Sequence, residues 1–259
     1  MLTKPLFGRK PNPAHPLMRG LVGWWLFNER AGTKAYDLSG KGKTGTLTGM
    51  AFPATDVSGW WGRGLNFDGG NDKVVSMTNP ISDYPFSFSV WVKSPSINGQ
   101  YIAISYANNT SNVIYYALGM SGNVPTAKAY LTSRSSIGDE NSFSGAINIA
   151  PNKWTHLAAV LNSSTDRRIY VNGIPDNTSA VSIPFVAGNN IAAGVVNRNS
   201  AFGFWPSVID DVRFYNRVLS ALAIRQLFAN PYGPFERTPV IWSNTLSVAA
   251  ARNSFAFIE

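Results

Sequence analysis

Residues 153–179 constrain the fold of this chain more than any other segment, because short apolar runs alternate there with turn signals. Residues 154–161 are apolar and rich in residues that favour strands, which predicts a buried strand. Turn-forming residues follow at 162–166, and a second strand is predicted over 168–171. Asn172 and Gly173 then favour a type I′ turn, since both central residues of that turn need positive φ. We therefore expect antiparallel β-structure.

Similar patterns predict strands elsewhere in the chain. Phe86–Lys93 alternates between apolar and polar positions, as a half-buried strand does: Phe86, Phe88, Val90 and Val92 share one face, and Ser87, Ser89 and Trp91 the other. Strands are also predicted over 20–27, within 63–76, near 102–106, 114–119 and 128–132, and over Val208–Tyr215. Residues 139–144 are interpreted as an exposed loop. Ser220 is predicted to cap a short helix over 221–228.

The composition agrees with a folded β-rich protein. Of the 259 residues, 44% are hydrophobic and 14% are charged, and the 23 glycines and 16 prolines favour short strands joined by turns. There is no cysteine, which excludes disulfides and thiolate metal sites. No apolar run reaches the roughly 20 residues of a membrane span, and the N-terminus lacks the apolar stretch of a secretory signal. We expect no membrane partner.

The charge is concentrated at the N-terminus. The net charge is +8, but most basic residues are scattered, which disfavours nucleic acid as a partner. The exception is an opening arm with Lys4, Arg9, Lys10 and Arg19, whose four prolines favour an extended chain. The sequence is therefore divided into a basic arm at 1–19, a β-domain at 20–232 and a C-terminal tail at 233–259.

Five segments in sequence order carry a resemblance to a known family. They are GLVGWWLFNERAGTKAYDLSGKGKTGTL, GRGLNFDGGNDKVV, FSFSVWV, WTHLAAVL with RRIYVNG, and IDDVRFYNRVLSALAIRQLF. Together they resemble the laminin-G-like jelly roll of the concanavalin A-like lectin/glucanase superfamily. This resemblance implies an all-β sandwich of two antiparallel sheets, with one short C-terminal helix and extended terminal arms. A narrower resemblance, over LFANPYGPFERTPVIWS at 227–243, is to jelly-roll proteins encoded among bacteriophage head and tail genes.

Glycosidases that resemble this chain in fold carry two carboxylates at alternate positions of one strand. None of the four glutamates has that placement. Asp210 and Asp211 are adjacent, so we expect them to point to opposite faces of their strand and not to act as a pair. His156 is predicted to be a hydrogen-bonded core residue. The sequence therefore predicts no enzyme and no required cofactor.

Two kinds of site stay open. The resemblance implies that a structural calcium ion could bind, and Asp37 in a glycine-rich loop and Asp210 on the last strand are the candidate ligands. The alternative is that Asp37 initiates an Asx turn and that Asp210 pairs with Arg213 or caps a loop. For a glycan, Trp60, Trp61 and Trp205 are the candidate aromatic platforms, against the alternative that they are core residues.

Two functions are expected from these observations. The first is a non-enzymatic bacteriophage virion protein, assembled in the host cytoplasm, that decorates the capsid and forms homo-oligomers. Its terminal arms would bind the shell or neighbouring copies, because they carry apolar and basic residues with no pattern of their own: Leu6, Phe7, Arg9, Lys10, Phe235, Ile241 and Trp242. The alternative is a carbohydrate-binding adhesion module that recognises a cell-surface glycan, free or attached to a virion.

Overall fold

The structure is a computed structural model and describes residues 4–52, 56–93, 98–123 and 127–236. Of the residues predicted to contact partners, Ile241 and Trp242 lie outside these ranges. No helix in the described ranges is both long enough and apolar enough to cross a membrane.

The described residues form strands and a short helix in the following order: β1 (Leu21–Trp25), β2 (Lys34–Ala35), β3 (Gly45–Thr48), β4 (Asp56–Ser58), β5 (Arg63–Asn66), β6 (Lys73–Ser76), β7 (Phe86–Lys93), β8 (Asn98–Ala107), β9 (Tyr115–Asn123), β10 (Ala127–Arg134), β11 (Asn141–Ile149), β12 (Trp154–Ser163), β13 (Asp166–Val171), β14 (Ile174–Ser179), β15 (Asn190–Ala193), β16 (Val208–Tyr215) and α1 (Ala221–Ala229).

These strands make two antiparallel sheets that pack face to face. Sheet A has the order β14-β13-β12-β7-β16-β5-β4, and β1 also pairs with β16. Sheet B has the order β11-β10-β9-β8-β15-β6-β3-β2. The all-β sandwich expected from the sequence is confirmed.

The alternation along β7 places the core between the sheets. Its four apolar residues are completely buried there, while Ser87, Ser89 and Trp91 lie on the outer face of sheet A. These three residues are buried as well, so the prediction of a half-buried strand is wrong. Burial of each large apolar side chain contributes about 1.5–3 kcal/mol. A second apolar cluster covers the outer face of sheet A, and α1 adds Ile224 and Leu227 to it.

The local turn and cap signals are confirmed. Asn172 and Gly173 have φ values of 51° and 79°, so the β13–β14 hairpin has positive φ at both central positions. The Ser220 hydroxyl accepts a hydrogen bond of 3.2 Å from the Ala223 N–H and caps α1.

One further prediction is wrong. Residues 139–144 are not a loop throughout, because Asn141 begins β11, which pairs with β10 as an edge strand. The N-terminal arm, which is predicted to be extended and to bind a partner, also contacts its own domain: its described part packs on the outer face of sheet A and buries Leu17. Phe235, predicted to bind a partner, is only 6% exposed and packs 5.4 Å from Trp24 between ring centroids. Its apolar surface is therefore already covered by the chain itself.

Candidate functional site

An aromatic cluster lies on the outer face of sheet A. Trp91 of β7 stacks with Trp60 at a centroid distance of 4.6 Å and an interplanar angle of 12°. Trp61 approaches both rings, at 5.2 Å from Trp60 and 5.7 Å from Trp91. Trp154 of β12 stands 6.3 Å from Trp60. The cluster therefore joins the β4–β5 turn to two central strands of the sheet.

The β4–β5 turn, which carries Trp60, is hydrogen-bonded to the buried Asp210 carboxylate. The backbone N–H of Trp60 donates a hydrogen bond of 3.1 Å to Asp210 Oδ2. Gly59 is required beside it, because a Cβ at that position would collide with the Arg63 carbonyl oxygen and the Asp210 carboxylate. The Gly59 N–H also bonds to the Gly62 carbonyl at 2.9 Å, which closes the turn. These contacts fix the orientation of the Trp60 ring.

Trp60 combines a supported ring with an open surface. Trp91 is 2% exposed, whereas Trp60 is 37% exposed. The negative face of an indole attracts the partially positive C–H groups of a sugar ring. Trp60 has one ring face packed on Trp91 and part of its surface open to solvent, so it is suited to stack against a flat apolar face of a ligand.

Trp60 and Trp61 line a cleft of about 740 Å³ that also has polar walls. Asn28, Glu29 and Arg30 contribute hydrogen-bonding groups from the loop after β1. Glu29 Oε1 accepts a bond of 2.8 Å from the Tyr36 N–H, but its Oε2 atom is buried and has no partner within the described structure. Burial raises the pKa of the Glu29 carboxyl. The wall of the cleft thus contains a carboxyl group with one unpaired oxygen next to the aromatic platform.

The sequence predicted that the two adjacent acids of β16 point to opposite faces of the strand, and this prediction is wrong. A β-bulge interrupts the pairing of β16 with β7 between Asp210 and Arg213, and Asp211 has a φ of 46°. Both carboxylates consequently lie on the outer side of sheet A, but each has its own cation. Lys4 pairs with Asp210, and Arg213 pairs with Asp211 at 2.9 Å.

These two acids are closed to solvent. Asp210 is 0% exposed and Asp211 is 2% exposed. Burial is the main reason that the pKa of Asp210 rises to about 6; Lys4 opposes this rise, and the neighbouring Asp211 adds to it. Arg213 makes two bonds to Asp211 and lies 4.1 Å over the Trp24 ring. The two acids therefore hold the N-terminal arm and β1 on sheet A, through Lys4 and Trp24 respectively.

The candidate calcium ligands are engaged with donors. The Asp37 carboxylate accepts hydrogen bonds from the backbone N–H groups of four residues and from one hydroxyl: Trp24, Ser39, Lys41 and Lys43, and Ser39 Oγ. This is the Asx-turn alternative, extended into a nest of donors. The alternative of an Asp210–Arg213 pair is wrong, because the cation on Asp210 is Lys4. N–H groups and an ammonium occupy the directions in which a metal ion would sit, so these residues do not fit calcium ligation.

The remaining predicted residues divide between surface and core. Trp205 is 0% exposed and lies in the core between the sheets, so the alternative that it is a core residue is the correct one. His156 is a buried hydrogen-bonded residue, as expected: its Nε2 lies 2.8 Å from Ser89 Oγ. Burial lowers its pKa to about 3. Leu6, Phe7, Arg9 and Lys10 are at the surface.

Sequence reasoning missed Trp91, Glu29 and Arg30 as parts of the site. Trp91 was assigned to a face of β7 but not to the Trp60 platform, since the β4–β5 turn and β7 are distant in sequence. The run Asn28-Glu29-Arg30 follows directly after the first apolar strand and is the signal that could have identified the polar wall.

The fold is shared with several solved structures of other proteins. Domain 4 of AbnA, an extracellular arabinanase from Geobacillus stearothermophilus solved with arabinotriose, has a TM-score of 0.61 and 22% identity over 80% of this chain and 97% of that one. The binding domain of Paraclostridial Mosquitocidal Protein 1 has a TM-score of 0.60 and 18% identity over 82% of this chain and 52% of that one. Trypanosoma rangeli sialidase has a TM-score of 0.59 and 15% identity over 83% of this chain and 33% of that one.

At these identities the likeness shows the fold alone, and the chain spans about half of the mosquitocidal binding domain. No curated protein sequence gives a significant match. A family model, Laminin_G_3, matches residues 68–225, which are more than half of the chain. The chain therefore belongs to the Laminin_G_3 family of the concanavalin A-like lectin/glucanases superfamily.

Proposed function

We propose that this protein is a non-catalytic carbohydrate-binding module and that its glycan stacks on Trp60 at the 740 Å³ cleft. The observation that carries the proposal is the Trp60 ring, which is fixed on Trp91 from one side and 37% exposed. Glycan sites combine such a platform with a few fixed polar groups that orient the ligand. Asn28, Glu29 and Arg30 supply these groups here.

The charge pattern of the cleft supports binding without hydrolysis. Glycosidases need two carboxylates about 5–10 Å apart that both reach the substrate. Among the described residues that line this cleft, Glu29 is the one acid. Asp210 and Asp211 lie beneath the surface with their own cations. A single carboxylate cannot serve as acid and as nucleophile or base in the same step.

The arabinanase domain was solved in complex with arabinotriose, which makes arabino-oligosaccharides a first class of ligand to test. A glycan array that includes arabino-oligosaccharides and sialylated glycans should be screened with the wild-type chain and with Trp60→Ala. Tyr36→Ala is the matched control, because Tyr36 is half-exposed and aromatic but does not line this cleft. Loss of one stacking ring is expected to weaken binding about tenfold.

The proposal fails if the wild-type chain binds no glycan, or if Trp60→Ala binds as the wild type does. Hydrolysis of a bound glycan by the wild-type chain would contradict the non-catalytic part.

A second candidate function is attachment to a larger assembly, for which a bacteriophage virion is the setting that the sequence predicts. The observation that favours it is the exposure of Leu6 and Phe7 on the docked arm, at 81% and 58%. Copurification of the chain with assembled particles, and its loss when Leu6 and Phe7 are replaced, would test this setting.

A further inference from the structure

Leu6 and Phe7 lie on a well-formed turn and not on a loose end. The Arg9 N–H bonds to the Leu6 carbonyl at 3.1 Å, which closes a β-turn over Leu6, Phe7, Gly8 and Arg9. Gly8 has a φ of 86°, as the third residue of a type II turn requires. The turn exposes 81% of Leu6 and 58% of Phe7. We name these two side chains the Leu6–Phe7 knob.

The chain anchors both sides of this knob. Before it, the Lys4 ammonium is buried against Asp210, and Asn28 Nδ2 donates a bond of 2.8 Å to the Pro5 carbonyl. After it, the Arg9 guanidinium bonds to the Phe235 carbonyl. A buried ion pair and two side-chain hydrogen bonds thus fix the backbone on both sides of the knob, and its two apolar side chains stay exposed to water. Pre-organisation of this kind lowers the entropy cost of binding a partner.

A second cleft, of about 550 Å³, lies beside the knob. Its walls are largely apolar and include Leu6, Phe7, Met18, Leu26, Tyr36 and Leu38. The Phe7 and Tyr36 rings are in contact, with centroids 5.6 Å apart. The surface therefore offers a projection and an adjoining hollow. A shaped protein surface can fill both, whereas a flat bilayer cannot enter the hollow.

The charges around the knob indicate the chemistry of the partner. Lys10 lines the 550 Å³ cleft, Lys41 follows Gly40 of the same cleft, and Arg30 lines the adjoining 740 Å³ cleft with Leu6 and Phe7. All three are exposed, and no described acid pairs with any of them. The two acids near this cleft are Asp37, whose carboxylate faces backbone donors, and Glu29, whose carboxyl is largely buried. A second copy of this chain would bring the same cations and a net charge of +8 against them. An acidic surface is the complementary one.

We propose that the Leu6–Phe7 knob and the 550 Å³ cleft form a docking surface for a partner protein that presents apolar side chains within an acidic rim. The knob supplies the buried anchors, and the flanking cations supply steering and specificity. The knob also lines the 740 Å³ cleft, so the two surfaces adjoin. Trp60 and Trp61 do not line the 550 Å³ cleft, and peptide binding there can be measured without any glycan.

The test uses the full chain as bait for a library of random displayed peptides. Enriched peptides are expected to combine two or more large apolar residues with a net negative charge. The affinity of the best peptide for the wild type should exceed its affinity for Leu6→Ser/Phe7→Ser by about tenfold or more. Ile137→Ser/Leu222→Ser is the matched control, since both residues are apolar and highly exposed elsewhere; it should bind as the wild type does.

A second set of variants tests whether the cations near the knob, and not the net positive charge of the whole chain, speed up association. Lys10→Glu/Lys41→Glu should slow association of the peptide and remove its dependence on salt, while Lys128→Glu on sheet B should have a smaller effect. Circular dichroism of each variant establishes that it is folded. Because the knob is exposed, its serine variants should melt like the wild type.

Three results would overturn the proposal. The first is that no peptide is enriched, or that the serine variants bind the enriched peptides unchanged. The second is that the wild type sediments as a dimer that the serine variants dissociate, which would make a second copy the occupant. The third is that the wild type sediments with phosphatidylserine vesicles through Leu6 and Phe7, which would make a bilayer the occupant.

Discussion

The Lys4 ammonium is buried against the Asp210 carboxylate, a residue 206 positions away in the sequence. The same carboxylate accepts a hydrogen bond from the backbone N–H of Trp60. One buried acid thus joins the N-terminal arm to the turn that carries the aromatic platform. The stability of the arm and the geometry of the cleft are therefore coupled.

Replacing Lys4 by methionine should leave Asp210 buried without its cation. Breaking a buried ion pair from one side costs about 3 kcal/mol or more. We expect Lys4→Met to lower the free energy of unfolding by that amount in urea titrations at neutral pH. Lys10→Met is the control, because Lys10 is an exposed lysine of the same arm, and it should change stability by less than about 0.5 kcal/mol. Equal stability of the two variants would show that the pair contributes nothing.

Asp210 should also give a distinct pH dependence. Its folded-state pKa of about 6 lies above the ordinary value of 3.8, so the folded protein binds this proton more tightly than the unfolded chain. Its contribution is therefore present below pH 3.8 and lost as the pH rises through 6. Compared with Asp210→Asn, the wild type should lose about 2 kcal/mol between pH 4 and 7. A difference that does not change with pH would contradict the assignment.

His156 should act in the opposite direction. Its folded-state pKa of about 3 lies below the ordinary 6.5, so its contribution is present above pH 6.5 and lost as the pH falls toward 3. The variant His156→Phe/Ser89→Ala removes both partners of their hydrogen bond and leaves neither unpaired. Between pH 6.5 and 4 it should lose about 3 kcal/mol less stability than the wild type. The same acid loss in both proteins would show that His156 is protonated in the fold.

Arg213 should not tolerate lysine. Its guanidinium makes two bonds to Asp211, one to the Pro231 carbonyl, and stacks over Trp24. A lysine cannot reproduce this planar arrangement, so Arg213→Lys should cost about 2 kcal/mol in unfolding titrations. Arg225→Lys on the exposed side of α1 is the control and should be neutral. Neutral behaviour of Arg213→Lys would mean that the stacked geometry carries no stability.

Patterns that are local in sequence could predict much of the fold. The division of the β7 residues between two faces, the Asn172-Gly173 turn and the Ser220 cap depend on a few neighbouring residues, and each is confirmed. The burial of both faces of β7 could not be predicted, because the residues that cover its outer face, such as Phe228, are distant in sequence. The candidate site could be predicted only in part. Trp60 and Trp61 were identified. Trp205 was a candidate too, because it also lies in an aromatic, glycine-containing segment, but it is buried. The sequence does not show which of these segments enters the core between the sheets.

Features that depend on irregular backbone or distant packing could not be predicted. The bulge at Asp211 turns two acids to the same side, and no residue pattern around it announces a bulge. The pairing of Lys4 with Asp210 joins opposite ends of the chain. Proline and basic residues in the arm indicate an extended segment, but they do not reveal whether it docks on its own domain or on another.

The most direct measurement follows the indole N–H signals of the chain in ¹H–¹⁵N NMR spectra while a glycan identified on the array is added. The Trp60 and Trp61 signals, assigned from Trp60→Phe and Trp61→Phe, should shift with a common saturation curve. The signal of Trp205, which is buried between the sheets, should stay in place. Saturable shifts confined to other tryptophans, with Trp60 and Trp61 unmoved, would contradict the account of this cleft as the glycan-binding site.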